Sequence, residues 1–143
     1  MNIQNLDYSE YIEIGEGVYW VGYWDKEVGL HCNPYLIVDG DEAVLIDSGS
    51  RNDFTTVMLK IMRTGTNPSK IKRLIYHHYD PDLCGNIPHI ESIIMNKDLK
   101  IISHSENNIF IKYYSVRSPM ECIENMGLEY RFESGRCLKF IRT

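Results

Sequence analysis

One short segment of the chain concentrates residue types that bind metal ions. His78, Asp80 and Asp82 are spaced two residues apart and follow an apolar stretch that ends at Tyr76. If the backbone stays extended there, alternate side chains point the same way and all three project from one face. Pro81 favours this arrangement, because a proline biases the preceding residue toward an extended conformation. The spacing therefore predicts half of a metal site.

The ligand types narrow the choice of metal. One imidazole and two carboxylates form a hard, oxygen-rich set, which suits iron or manganese better than the cysteine-rich surroundings of a structural zinc. His77 does not share the face of the three ligands and is interpreted as a core residue or as a support for a ligand. A turn rich in Asp and Pro is also common without a metal, so the spacing alone leaves both interpretations open.

Composition and charge disfavour several classes of function. The chain has 143 residues, which is enough for one domain with a buried core. A net charge of −5 disfavours a nucleic-acid partner, because phosphate binding requires a concentrated basic face. No stretch approaches the ~20 apolar residues of a membrane span, and the polar, acidic N-terminus does not fit a secretory signal. We therefore expect a cytoplasmic protein without a membrane partner.

The cysteines do not form a metal-binding or disulfide pattern. None of the four lies in a Cys-x-x-Cys pair, and in a reducing compartment they are interpreted as small buried hydrophobic residues. They are Cys32, Cys84, Cys122 and Cys137.

The elements that must position the loop alternate between strands and helices. Strands are predicted at 17–23, 35–39, 43–47, 71–76, 99–103, 129–132 and 137–142. Helices are predicted from a cap at Asn52 or Asp53 to about 63, at 85–95, from a Ser105 cap to 114, and from 118 to 127. Alternation in the middle with hairpins near both ends indicates a mixed α/β fold with α+β layering.

The segment 74–88, LIYHHYDPDLCGNIP, resembles the metallo-β-lactamase superfamily signature His-x-(His/Glu/Asp)-x-Asp-His-x-Gly. It resembles more closely the version in flavodiiron proteins, where an acidic residue takes the second position and Pro precedes the Asp. The remaining segments are similar in order to the family's strands: GVYWVG, NPYLIV, AVLID, KIISHS and GRCLKF. The resemblance covers nearly the whole chain and implies the N-terminal portion of a metallo-β-lactamase-type αββα sandwich. It is closest to the small oxygen-binding diiron proteins that lack a flavodoxin domain.

The resemblance also implies roles for individual residues. His78 and Asp80 would bind one iron, and Asp82 would bind the other. Asp47 would brace the loop, although a strand-terminal helix cap explains it nearly as well. His31 would face the substrate pocket, although a histidine in an irregular segment is more often structural.

The sequence departs from the family pattern at two points. The second His of the signature is Leu83 here, which disfavours a dizinc hydrolase more than a diiron site. The family's further His, bridging carboxylate and last His would lie beyond Thr143. We therefore expect residues 1–143 to be a metallo-β-lactamase-like domain cut before its C-terminal half, with an exposed apolar sheet face that promotes homo-oligomers.

Three functional hypotheses follow. The first is a non-haem diiron protein that binds O2 or NO, either as an oxygen sensor or as a flavodiiron-like oxidoreductase. The second is a metal-dependent hydrolase of the same superfamily, with zinc or manganese as its metal. The third is a non-catalytic half-domain that holds no metal tightly. The sequence names neither an electron donor nor a signalling partner.

Overall fold

A seven-stranded mixed sheet forms the centre of the molecule in the computed structural model, which describes residues 6–27 and 29–143. The strands, in chain order, are β1 (Ile12–Gly15), β2 (Val18–Trp20), β3 (Tyr23–Asp25), β4 (Leu30–Cys32), β5 (Tyr35–Asp39), β6 (Glu42–Ile46), β7 (Ile71–Ile75), β8 (Lys100–Ser103), β9 (Met120–Cys122), β10 (Glu129–Arg131) and β11 (Cys137–Lys139). The large sheet has the order β1-β2-β5-β6-β7-β8-β9, while β3–β4 and β10–β11 form separate two-stranded ribbons.

The helices lie between the later strands of the large sheet. They are α1 (Phe54–Arg63), α2 (Pro81–Cys84), α3 (Ile87–Ile94) and α4 (Ser105–Ile111). Short 3-10 turns occupy Arg51–Asp53, Pro68–Lys70, Lys112–Tyr114 and Ile123–Met126. None of the helices in the described ranges is long and apolar enough to cross a membrane.

The sheet changes from antiparallel to parallel at β6. The hairpin of β5 and β6 is confirmed, and Gly40 at its turn has a φ of 61°. Strands β6, β7, β8 and β9 pair in parallel. The carboxyl ends of β6, β7 and β8 therefore meet at one edge, the usual place for a functional site in such sheets.

Both faces of the central strands are buried. Leu45, Leu74 and Ile101 are register neighbours on the face covered by α1 and α3. The alternate residues of these strands face the other side, where Tyr130 and Phe132 of the β10–β11 region cover them. Burial on both faces explains why these apolar runs alternate so poorly in the sequence. The mixed α/β layering and the hairpin of β10 and β11 are confirmed.

The helix predicted at 118–127 is wrong. Met120–Cys122 is β9, which adds a parallel edge strand to β8, and only Ile123–Met126 is helical, as a 3-10 turn. The Ile101 backbone N–H donates to the carbonyl of Pro119 at 2.9 Å, so pairing with β8 begins at the proline itself. Tertiary pairing therefore overrides the local preference of this segment.

The helix predicted at 85–95 and the strand predicted at 17–23 are each interrupted. The helix is divided at Asn86, whose side chain donates to the carbonyl of Ser48 and ties this segment to the end of β6. The strand stops after Trp20, where the buried Lys60 amine of α1 donates to the carbonyls of Tyr8 and Gly22. Hydrogen bonds to distant residues take the place of regular structure at both breaks.

Substitution by alanine should destabilise the fold more at Gly22 than at Gly15, another glycine near these strands. A methyl group at Gly22 would overlap the carbonyl oxygen of Cys32 and the Trp20 ring, whereas at Gly15 it would meet only Val18 at 3.8 Å. We expect Gly22→Ala to lower the free energy of unfolding by about 1–3 kcal/mol. Gly15→Ala is the matched control and should leave it nearly unchanged. Denaturant unfolding of both variants checks this, and equal effects would contradict it.

Candidate metal centre

The loop with the predicted ligands begins where β7 ends and is tied to the end of β6. Asp47 follows β6 and is buried, with 7% of its surface exposed. Its backbone N–H donates to the Ile75 carbonyl at 2.7 Å. Its carboxylate accepts the backbone N–H of His77 at 3.1 Å and the His77 Nδ1–H at 2.8 Å. These bonds fix the first residue of the loop against the neighbouring strand.

The conformation of Asp47 explains how its short side chain reaches the loop. Its φ is 57°, in the left-handed region that Asp and Asn tolerate better than most residues. The short 3-10 turn that follows, Arg51–Asp53, is capped by Ser50, so the alternative prediction of Asp47 as a helix cap is not what the structure shows. His77 is largely exposed rather than a core residue, and the hydrogen bond that its imidazole donates to Asp47 raises the pKa of that imidazole.

His78 and Asp80 face each other within the loop. The His78 Nδ1 lies 3.2 Å from Asp80 Oδ1, and each side chain is about half exposed. The Asp80 backbone is extended, with φ −66° and ψ 148°. This contact shows that the His78 and Asp80 side chains share a face, as their spacing predicts. An imidazole and a carboxylate side by side are donor types that fit a hard cation such as iron or manganese.

The extended conformation does not continue to Asp82. Helix α2 begins at Pro81, and the Leu83 and Cys84 backbone N–H groups both donate to the Asp80 carbonyl. Pro81 fits the first helical turn because its φ is already helical there. Asp82 thus lies exposed in that turn. Over residues 6–27 and 29–143, no three His, Cys, Asp or Glu side chains converge to hold a metal. The ligand roles of His78, Asp80 and Asp82 stay predictions.

The cysteines near the loop are protonated thiols in the metal-free protein. Burial raises the pKa of Cys32 to about 12, and Asp53 adds to the shift. Burial and then Asp47 also raise the pKa of Cys84, whose Sγ donates to the His78 carbonyl at 3.1 Å. Cys84 is buried as predicted, whereas the other three cysteines are only partly buried. The polar donors of this region are therefore imidazoles and carboxylates, not thiolates.

Leu83 and His31 occupy different surroundings. Leu83 packs against the core on the helix side of the sheet, while its carbonyl accepts the Ser48 and Gly49 backbone N–H groups. His31 lies on β4 and stacks on Trp24, with the ring centroids 5.3 Å apart and the planes 5° from parallel. The assignment of His31 to a substrate pocket stays a prediction.

Helix α4 and the 3-10 turn that follows it contact the outer side of the loop, a contact that the sequence analysis does not predict. The Asn107 amide donates to the His77 carbonyl at 3.1 Å, and the Tyr114 hydroxyl donates to the Tyr79 carbonyl at 2.7 Å. The Phe110 and Tyr79 rings stack with centroids 4.4 Å apart. The signal available in the sequence was the spacing of 107, 110 and 114, which places these residues on one helical face.

The start of α4 also differs from the prediction. His104, not Ser105, is the capping residue, and its Nδ1 accepts the Glu106 backbone N–H at 3.2 Å. Its Nε2 lies 2.7 Å from a Glu124 carboxylate oxygen.

Comparison with known proteins identifies the family. The model described as "ODP family beta lactamase" matches residues 30–143. The uncharacterized protein MJ0732 of Methanocaldococcus jannaschii is 28% identical, over 92% of this chain and 35% of that protein. Rubredoxin oxygen:oxidoreductase from the anaerobe Desulfovibrio gigas superposes with a TM-score of 0.68 at 19% identity, over 79% of this chain and 30% of that one. MEM-A1, a subclass B3 metallo-β-lactamase from a soil metagenome library, has a TM-score of 0.61 at 18% identity, over 72% of this chain and 37% of that one.

These matches define the fold and the family together. The chain belongs to the ODP beta-lactamase family, and so to the metallo-β-lactamase superfamily. Its mixed sheet with helices on one face matches part of the metallo-β-lactamase sandwich. The chain spans about a third of the length of the curated relative it matches.

The bond between Asp47 and His77 should be visible in a pH titration of the metal-free protein. Asp47→Asn keeps an acceptor for the His77 backbone N–H but removes the carboxylate, so the pKa of His77 should fall toward its ordinary value. NMR titration of the imidazole resonances measures the change, with His89 as the internal control.

The same change should alter the pH dependence of stability. A raised histidine pKa adds stability that is fully present below the unfolded value of about 6.5 and is lost as pH rises through the folded pKa. The difference in unfolding free energy between wild type and Asp47→Asn should therefore shrink with rising pH over that window. A difference that grows with pH would contradict the assignment.

Proposed function

We propose that this chain supplies the first metal-binding segment of a non-haem diiron centre that binds O2 or NO. The observation that carries the proposal is the contact of His78 with Asp80, a carboxylate in the second ligand position, at 3.2 Å. A carboxylate in this position makes the donor set harder than a pair of imidazoles and favours iron over zinc. His78 and Asp80 would hold one iron, and Asp82 would hold the other.

The iron pair would supply the electrons with which O2 or NO is bound or reduced. The residues of this chain would hold and shield that pair. Asp47 fixes the start of the loop, and the half-buried Tyr79 ring covers one side of His78, with centroids 4.3 Å apart. Leu83 places an apolar side chain where the hydrolase signature has an imidazole, so that position offers no base to activate water.

The likeness to rubredoxin oxygen:oxidoreductase supports the proposal in one respect. That protein's name states that it acts on oxygen, and this chain superposes on it over 79% of its length. At 19% identity, this similarity supports the fold alone. The argument for iron rests on the donor set of the loop. An oxygen sensor and an oxidoreductase would use the same loop.

A metal-dependent hydrolase is the second candidate. It is favoured by the metallo-β-lactamases among the structural neighbours, including MEM-A1. Zinc or manganese would be its metal, held by the same three residues. The leucine at position 83 is the feature that opposes it.

Metal content and gas binding test the proposal. The protein as its gene encodes it, produced with iron, should contain two irons per chain, and its reduced form should change its absorption spectrum on exposure to O2 or NO. His78→Ala and Asp80→Ala should each lower the iron content, because each removes a donor. His89→Ala is the matched control, since His89 is exposed on α3 and contacts Phe54 instead of the loop.

Other outcomes separate the hypotheses. Zinc in place of iron, together with turnover of a thioester, phosphoester or lactam, would support the hydrolase and contradict the diiron proposal. A protein that binds neither metal, with a thermal stability that a chelator leaves unchanged, would contradict both and indicate the non-catalytic half-domain.

A further inference from the structure

We infer that one face of the α4 region is a positioning element for the metal loop. Asn107, Phe110 and Tyr114, together called the α4 brace, hold the backbone and rings of residues 77–80 from outside. The inference rests on the proposed function, because it assumes that the loop binds a metal. It adds residues that lie about 30 positions from the loop in sequence.

The α4 brace satisfies two backbone carbonyls of the loop. Asn107 donates to the carbonyl of His77, and the Tyr114 hydroxyl donates to the carbonyl of Tyr79. The carbonyl between them, that of His78, accepts a hydrogen bond from the Cys84 thiol at the end of α2. A loop with its successive carbonyls bound has little freedom to rotate its peptide planes.

The α4 brace also fixes the orientation of a predicted ligand through stacked rings. The His78 imidazole stacks on Tyr79 with centroids 4.3 Å apart and planes at 20°. Tyr79 stacks in turn on Phe110 at 4.4 Å and 29°. The Phe110 ring is 47% exposed, and it supports the Tyr79 ring that orients His78.

Helix α4 is itself fixed by contacts that do not involve the loop. The Asn108 amide donates to the Glu121 carbonyl of β9 at 3.0 Å, Ile111 is fully buried, and His104 caps the helix. The brace therefore connects the loop to the sheet through an independently anchored element. Asp47 holds the loop from the opposite, inner side. Contacts on both sides are what holds a ligand ring in one orientation.

The test uses two variants that remove the contacts singly. Tyr114→Phe removes one hydroxyl and keeps the ring, and Phe110→Leu removes the stacked ring and keeps an apolar side chain. In the iron-binding protein as its gene encodes it, each should weaken Fe(II) affinity about 10–100-fold, the usual effect of losing a residue that orients a ligand. The Fe(II) absorption or Mössbauer spectrum should change as well, because the orientation of His78 changes.

Two further variants serve as controls. Phe110→Tyr keeps a stacking ring and should retain wild-type affinity. Tyr113→Phe alters a side chain that is 76% exposed, on the helix segment beside the brace, and should also have no effect.

A second measurement is independent of metal. In the metal-free protein, hydrogen–deuterium exchange of the backbone amides at 77–80 should be faster in Tyr114→Phe and Phe110→Leu than in wild type, while exchange in β7 and β8 stays unchanged. If the wild type binds no iron and exchange at 77–80 is still faster in the two variants, the brace is supported while the proposed function fails. Unchanged loop exchange and affinity in folded variants would overturn the brace. Faster exchange throughout β7 and β8 would also overturn it, because the residues would then serve only global stability.

Discussion

The parallel pairing of β6, β7 and β8 is the constraint on which the rest of the structure depends. The ladder continues past the strand ends, where Asp47 donates to Ile75 at 2.7 Å and Tyr76 donates to Ile102 at 3.0 Å. Because side chains alternate along a strand, a slip of one residue would move a whole buried set to the opposite face. These strands carry buried apolar residues on both faces and are covered on both, by helices on one side and the β10–β11 region on the other. Their common register brings the chain segments after β6 and β7 together at one edge.

At that edge, polar contacts replace hydrophobic packing as the interactions that hold the chain in place. Residues 77–80 contribute few atoms to the core, so their position depends on hydrogen bonds and stacked rings instead of burial. The buried Asp47 carboxylate accepts two bonds from His77, and α4 holds the other side of the loop. A buried carboxylate without hydrogen-bond partners would destabilise the folded state. The same two bonds therefore fix the loop and satisfy the Asp47 carboxylate. Membership of the metallo-β-lactamase superfamily accounts for the sheet, while the chemistry of the site depends on these few side chains.

The sequence predicted the buried strands well and the edges of the fold less well. Runs such as 35–38 and 43–46 are apolar and rich in β-branched residues, and their strand conformation agrees with their burial. The prediction for the segment 118–127 is wrong because its Ser-Pro start fits a helix. In the structure, part of this segment pairs with the free edge of β8 and is therefore a strand. The extended face proposed for His78, Asp80 and Asp82 reaches only Asp80, since Pro81 opens α2. At such positions the local conformational preference of the residues competes with pairing to a distant strand, and the outcome decides the secondary structure. A single sequence does not show which distant strand is the partner.

The sequence by itself determined the donor types of the loop, the leucine at position 83, the turn at Gly40 and the strands that run through the core. Each depends on residue type or on spacing within one element, which fixes where a side chain points relative to its neighbours. Only the tertiary structure decided that Asp47, which the resemblance gives as a brace of the loop, meets His77, that Tyr114 meets Tyr79, and that His104 instead of Ser105 caps α4. The first two contacts join residues 30 and 35 positions apart. Their distances depend on how the elements are placed by strand pairing and helix packing, and periodicity within one element carries no information about that placement.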